Sequence, residues 1–441
     1  TARAVASLVA VDPDELVAKV ASSGPDAFVE VITLDRSAYD VIRDQIQPLP
    51  GTVFREEADG DVLPPNFARG LLGATDKASA ETAEGSDGAI REGDIVGVSG
   101  LQLSQNDVLA GKAGLTVEAV TTDGTPRALK VFAAEPGQSI TVTLDRRVQS
   151  VADATMANTE GPSALVAIRV STGEVLAVAN GPSGSSAYNR ALIGRYAPGS
   201  VFKIASGLAV LEHGTTPDTM VDCPAEITVG KTFRNAGGFS LGAVPFRTDF
   251  SKSCNTAFVN LASTVTTDQL ADTAARLGYR PLDIGAPLFG ASVPTDGDAT
   301  EHAAQMIGQG RVEATPLHVA LATASVAAGR SVEPLLVIDP DAPEAPAGPE
   351  LPADLIIQLR EMMRLVVTEG TGTVLADVTG GEVRGKTGTA EFGTASPPET
   401  HAWITGYQGD VAFAVLVEGG GGGGAVAGPL AAQFLNTLAN G

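Results

Sequence analysis

Ser200 and Lys203 stand three residues apart in Ala197-Pro198-Gly199-Ser200-Val201-Phe202-Lys203, at the head of an apolar run. In a helix that spacing stacks the two side chains about one turn apart on one face. A serine hydroxyl is a weak nucleophile at neutral pH unless a base lies within hydrogen-bond reach, and a lysine can be that base once burial lowers its pKa. Val201, Phe202, Ile204 and Leu208 are the neighbours that would bury it. Taken alone, the tetrad reads more simply as a helix-capping serine beside a solvated lysine. Two further clusters alter that reading. Ser253-Cys254-Asn255 interrupts two helical patterns, where a plain helix-to-helix turn capped by Asn255 is the bland account. Lys386-Thr387-Gly388-Thr389-Ala390 lies in the strand-like run Arg384–Phe392, in which Gly388 lets a ligand backbone come close; a bulged edge strand would look the same. The three together, in this order and in helix, loop and strand contexts, specify serine acyl transfer.

Such a site needs a helix to carry the serine, and a loop and a strand delivered to it from far along the chain. A strand at Ile140–Leu144 and a helix near Arg146–Asn158 precede two apolar runs, Ala164–Val170 and Gly173–Asn180, which read as a hairpin. Helices are expected over Ser200–His213, Asn255–Thr264, Thr315–Ala328 and Ala353–Val367. Thr315 followed by Pro316 is a helix cap with proline in the first helical position. Strands return at Glu382–Phe392, His401–Tyr407 and Val411–Val417 before a last helix, Pro429–Leu438. Strands, then helices, then strands again predict an α+β fold whose distant segments share one antiparallel sheet. Ahead of it, residues 1–137 read as a small α+β domain, with Ala27–Leu34 extended, Asp35–Ile46 helical and a hairpin from Leu115–Val120 and Ala128–Ala133. Ala74–Asp94 shows no apolar periodicity and reads as a mobile surface loop. Ile338–Pro352 is a proline-rich loop, and Gly419–Gly424 a flexible strand-to-helix turn without the Lys-Ser/Thr of a phosphate cradle.

The chain has 441 residues, 44% of them hydrophobic, enough for two cored domains. A formal charge of −23 without clustered Lys and Arg excludes a nucleic-acid partner. No apolar run approaches the roughly 20 residues of a membrane helix, and no basic leader opens the chain. Two cysteines, Cys223 and Cys254, cannot build a zinc site alone. A buried inert thiol is the preferred reading of Cys254, ahead of a disulfide to Cys223 or a thiol nucleophile. The four histidines, His213, His302, His318 and His401, come without a Gly-x-Ser-x-Gly elbow and are read as surface or packing residues. Gly308-Gln309-Gly310 is read as a structural turn.

The three motifs, spaced by about 50 and 130 residues, resemble those of the class B penicillin-binding proteins, monofunctional peptidoglycan transpeptidases. Ile307-Gly308-Gln309-Gly310, Ala314-Thr315-Pro316-Leu317 and Gly370-Thr371-Gly372-Thr373 are similar to segments of the same transpeptidase domain. Gly97–Gln102 and Leu109–Gly114 are similar to the end of the pedestal domain that precedes it, although Gln102 stands where an acidic residue is usual. The resemblance implies a penicillin-binding transpeptidase domain at 138–441, an antiparallel sheet flanked by helices, after a partial dimerisation-type pedestal at 1–137. It implies an extracytoplasmic enzyme whose membrane anchor is not in this chain, working without a cofactor on peptidoglycan stem peptides, blocked by β-lactams, and partnered by cell-division or elongation proteins.

Carried over by motif, Ser200 is the nucleophile, Lys203 its base and Ser253 a second proton carrier. Asn255 holds the donor amide, Lys386 biases the site positive, and Thr387, Gly388 and Thr389 take the substrate's terminal carboxylate and backbone. The N–H groups of Ser200 and Thr389 form the oxyanion hole. A β-lactam sensor module would share Ser200, Lys203 and Lys386, and a D,D-carboxypeptidase or β-lactamase would hydrolyse instead of transferring. The lactamase loop Glu-x-x-Leu-Asn has its nearest text in Glu333-Pro334-Leu335-Leu336, which Val337 breaks; Glu333 is expected to face solvent.

Overall fold

The computed structural model describes residues 1–9, 11–24, 28–29, 31–32, 34, 36–54, 63–64, 66–86, 88–120, 126–184, 188–339, 348–395 and 398–440. Contacts divide the chain into two units, Thr1–Pro65 and Asn66–Gly441. In the first, helices Ala2–Leu8, Pro13–Ser22 and Arg36–Ile46 close over Val5, Ala6, Val9, Leu16 and Ile46. Asp12 starts the second of these helices by accepting the N–H groups of Asp14 and Glu15, with Pro13 in the first helical position. The strand expected at Ala27–Leu34 falls partly outside the described residues, and those described there carry no strand pairing.

In the second unit, Ala74–Asp94 is not the loop the sequence suggests. Thr75–Lys77 pairs antiparallel with Ile95–Gly97, and Ala80–Glu84 forms a short helix capped by Ser79. Three-residue strands have too few alternations to read, and their pairing partner lies about twenty residues away, so periodicity misses them. The hairpin of Leu115–Val120 with Pro126–Phe132 is as expected.

The elements that matter for the site follow. β1 (Ser163–Arg169) and β2 (Val175–Gly181) make the expected hairpin, and a 3-10 turn, Gly199–Phe202, runs into α1 (Lys203–Glu212). β3 (Met220–Cys223) pairs with Gly242–Pro245, and then come α2 (Phe246–Lys252), α3 (Asn255–Asn260), α4 (Pro316–Ala328) and α5 (Ala353–Thr368). β4 (Val383–Phe392), β5 (Glu399–Gln408), β6 (Val411–Val417) and α6 (Gly423–Asn440) end the chain. One five-stranded antiparallel sheet, in the order β4-β5-β6-β1-β2, unites strands from the two ends of this region.

Alternation along β1 explains why its whole run is apolar: Ala164, Val166 and Ile168 enter the core under α1 and α4, while Leu165 and Ala167 enter a second core under α6 and the helix Arg146–Met156. A strand buried on both faces cannot afford a polar side, and each Leu or Val so placed contributes about 1.5–3 kcal/mol. Thr315 caps α4 as its sequence announces, accepting the His318 N–H with Pro316 in the first helical position. The glycine run is another correction. It is not all turn: α6 begins at Gly423, six residues before the expected start, because its first turn is packed where only glycine fits. Among the described residues no helix is long and apolar enough to cross a membrane.

Candidate active site

The three motifs converge. Gly199 opens the 3-10 turn at φ +54, and a Cβ there would lie 2.6 Å from the Thr389 carbonyl oxygen. Its N–H donates to the Gly308 carbonyl at 2.8 Å, while a Cβ on Gly308 would lie 2.1 Å from Gly199 O. Gly308 is thus the support of the turn that presents Ser200, in keeping with its expected structural role.

Ser253 ends α2 in the left-handed region (φ 60°, ψ 37°), a cost of order 1–2 kcal/mol for a residue with a Cβ. The turn is fixed by Cys254 N–H donating to Asp249 O at 2.8 Å and Ser253 N–H to Phe250 O at 3.1 Å. That conformation aims the serine at both lysines. Lys386 Nζ donates to Ser253 Oγ at 2.8 Å, and Lys203 Nζ donates to Ser253 O at 2.9 Å and lies 3.5 Å from Ser253 Oγ. Asn255 Oδ1 accepts from Lys203 Nζ at 2.7 Å and from Ser200 Oγ at 3.5 Å. Lys386 Nζ also reaches Thr387 O at 2.9 Å. Gly388 passes so near the Ser200 turn that a Cβ would meet Val201 N at 3.0 Å and Trp403 Cβ at 3.1 Å. Thr389 Oγ1 accepts the Gly423 N–H at 3.4 Å.

Both lysines are fully buried. Burial holds the Lys203 amine well below the ordinary lysine range, the Lys386 charge lowers it further, and Asp249 opposes. Lys386 is brought down to about 7 by burial. Phe258 lies under Lys203 Nζ at 5.0 Å and Phe250 under Lys386 Nζ at 5.9 Å, so both amines sit over apolar rings.

Four residues at this site escape sequence reasoning. Thr371 is hydrogen-bonded to Thr387 through the two hydroxyls. Its segment resembles a family motif, but nothing in Gly-Thr-Gly-Thr indicates which strand it meets. Asn235 ties the second motif to two other segments: Oδ1 accepts from Asn255 N at 2.8 Å and Thr256 N at 3.1 Å, and Nδ2 donates to Pro224 O and Phe239 O, each at 2.9 Å. Asp249 is fully buried with neither carboxylate oxygen partnered among the described residues, and burial pushes it up to about 7. Gly423 is the fourth. A Cβ on it would stand 2.1 Å from Trp403 O and 2.3 Å from Gly388 O, so the sixth-strand-to-helix connection touches the backbone of the third motif. Gly423→Ala is therefore expected to push α6 off β4, with a loss of at least ~10-fold in acylation rate by a penicillin and a lowered melting temperature; stopped-flow labelling beside a thermal scan checks both.

The preferred reading of the cysteines is overturned: Cys223 and Cys254 form a disulfide, with Cα atoms 6.3 Å apart, because β3 ends against the start of α3. Other expectations stand. His401 stacks on Phe392 at 4.0 Å and meets the Tyr196 ring edge-on, a packing role. His213 and His302 hydrogen-bond backbone carbonyls, and His318 serves the α4 cap. Glu333 is exposed and ion-paired with Arg280.

A helix-flanked antiparallel sheet with these three motifs at its edge strand defines the class, that of the penicillin-interacting transpeptidase fold. The family described as penicillin-binding protein transpeptidase domain matches residues 163–436, and that described as penicillin-binding protein dimerisation domain matches residues 1–142. The chain belongs to the penicillin-binding proteins, with the class B arrangement of the two domains. A peptidoglycan D,D-transpeptidase PbpA of Mycolicibacterium smegmatis is 31% identical over 357 residues, covering 67% of this chain and 71% of the relative. A ceftriaxone acyl-enzyme structure of penicillin-binding protein A from M. tuberculosis superposes with a TM-score of 0.61 at 27% identity, over 69% of this chain and 81% of that one. The penicillin-binding protein in a complex of PBP2 and MreC from Helicobacter pylori shares the fold over 98% of this chain and 90% of its own, with a TM-score of 0.71 at 22% identity.

Proposed function

We propose that this chain is a peptidoglycan D,D-transpeptidase that forms an acyl-enzyme on Ser200. The observation that carries the reading is the shared bridge: Asn255 Oδ1 joins Ser200 Oγ to Lys203 Nζ, and Ser253 joins Lys203 to Lys386. A neutral Lys203 amine has two N–H groups and one lone pair. Its N–H groups are occupied by Asn255 Oδ1 and Ser253 O, so the lone pair remains for a serine proton. Ser200 attacks the carbonyl of the penultimate D-alanine and its proton goes to Lys203; as the bond to the terminal D-alanine breaks, Lys203 returns that proton through Ser253, which gives its own to the departing amine, with Lys386 holding Ser253 in place. The N–H groups of Ser200 and Thr389 bind the oxyanion, a contribution typically of ~3–4 kcal/mol per donor. Thr387 and Thr389, with Gly388 between them, hold the terminal carboxylate. An amine of a second stem peptide then takes the acyl group. The disulfide fits an oxidising compartment outside the membrane, where peptidoglycan lies. β-Lactams are suicide substrates on this reading, and a morphogenetic protein of elongation or division is the partner class suggested by the MreC complex of the H. pylori relative.

Aminolysis of a D-Ala-ended thioester in the presence of a D-amino acid tests transfer directly; a protein that is acylated but yields no aminolysis product is a sensor and sinks the reading. Hydrolysis is disfavoured because Glu333, in the segment whose sequence comes closest to the lactamase loop, is exposed and held by Arg280. Nitrocefin is accordingly expected to give one equivalent of colour per enzyme within minutes, unchanged by Glu333→Gln. Continuing turnover that Glu333→Gln removes would make the chain a β-lactamase.

A further inference from the structure

We propose that Cys223, Cys254 and Asp249 form a thiol–disulfide switch that tightens or slackens the second motif. The inference rests on the proposed roles of Ser253 and Asn255, since Cys254 is the residue between them. Its bond to Cys223 is the covalent tie from that motif to the end of β3. Other ties there are hydrogen bonds: Asn235 reaches Asn255 and Thr256, and Thr256 Oγ1 donates to Pro224 O at 2.7 Å.

Asp249 is the anomaly that points to redox chemistry. Its carboxylate and the two sulfurs lie within 4.8 Å of one another, all three residues are buried, and neither carboxylate oxygen has a partner among the described residues. A buried polar group without a partner is costly, and the sulfurs of a disulfide carry no hydrogen to give it. Reduction supplies what is missing. The S–S bond takes two electrons and two protons and becomes two S–H groups, new donors within 4.8 Å of the carboxylate that a small movement of the freed side chains would bring to it. With a dithiol as reductant, its two thiols close to a cyclic disulfide and their two protons end on Cys223 and Cys254, so atoms and electrons balance. Asp249 thereby disfavours the bonded form relative to the open one. Opening also removes the restraint beside the left-handed backbone of Ser253, whose hydroxyl then leaves Lys203 and Lys386.

The test uses the whole chain, wild type and Asp249→Leu, equilibrated across ratios of reduced to oxidised dithiothreitol. Free thiols are counted by intact mass after alkylation, folding is followed by circular dichroism, and acylation is timed with a fluorescent penicillin. Reduced wild type is expected to acylate at least ~10-fold more slowly than the oxidised form, with recovery on reoxidation. Asp249→Leu is expected to need on the order of 10-fold more reduced dithiol to reach half reduction. Because reduction can loosen more than the motif, Cys223→Ala is measured in parallel, and it is expected to be folded, slow and indifferent to dithiol. Equal acylation rates in the two redox states, or a wild-type rate in Cys223→Ala, overturn the switch, and coincident midpoints overturn the part given to Asp249. Oxidised wild type that is never acylated would count against the proposed function instead, and the thiol midpoints are read without any penicillin.

Discussion

Ser200→Ala is expected to abolish covalent labelling by benzylpenicillin, read as loss of the single adduct in the intact mass. The effect is total because the hydroxyl is the only attacking atom in the scheme, and the neighbouring amines do not replace it: Lys203 and Lys386 are buried and already engaged with Ser253 and Asn255. Folding is not at issue. Among the described residues Ser200 Oγ makes one long hydrogen bond, 3.5 Å to Asn255 Oδ1, so its removal is worth no more than about 0.5–1.5 kcal/mol and the melting temperature should hold. Ser253 is the rival serine, oriented and hydrogen-bonded to Lys386 at 2.8 Å. An adduct that persists in Ser200→Ala and maps to Ser253 by peptide mass would exchange their roles.

Lys203→Met is expected to slow acylation by roughly 10²–10⁴-fold, the usual worth of a positioned general base. Methionine keeps an unbranched apolar stem and removes the amine that sits over the Phe258 ring, so the loss reports chemistry more than packing. A cost in stability accompanies it, because Ser253 O and Asn255 Oδ1 each lose their lysine donor. The pH profile carries the sharper reading. Lys203 must be neutral to accept a proton, and burial together with the Lys386 charge holds it well below the ordinary lysine range. The wild-type acylation rate should therefore rise with pH and level off well short of pH 10, and in Lys203→Met that rise should vanish. A methionine variant with the wild-type rate and profile would exclude Lys203 as base.

Much of this was legible in the chain because the residues that act are also the residues that mark it. Ser200, Lys203, Ser253, Asn255 and Lys386 sit in short motifs whose local context announces helix, loop and strand, and Thr315-Pro316 caps its helix with no help from tertiary structure. What remained hidden depends on contacts between segments far apart. Asp249 looks like an ordinary surface acid on a helix until α2 is folded against β3. Asn235 looks like a loop residue, and its worth comes from four groups that reach it from three segments. Cys223 and Cys254 are 31 residues apart with nothing between them to say that β3 returns to α3. Gly423 reads as a flexible linker because glycine signals freedom to a sequence reader, whereas here it marks the closest approach of two backbones.

The strand order bears on how such a molecule comes into being. β1 emerges early in synthesis, yet its partner across the sheet is β6, with Arg169 opposite Val411 and Ser163 opposite Val417. At about 5–20 residues per second, the first strand waits roughly 12–50 s for its neighbour. Through that interval an apolar strand, destined to be buried on both faces, offers an unpaired edge to whatever is nearby. Contacts of such long reach also form slowly, since a large loop must close before any of them stabilises the chain. The helical segments between can collapse locally, but Ser253 lacks Lys386 until β4 is made, and β4 is not joined to β1 until β5 and β6 follow. A nascent copy therefore carries its reactive serine before the strands that complete the site exist, and through that interval β1 keeps one edge open to a wrong partner.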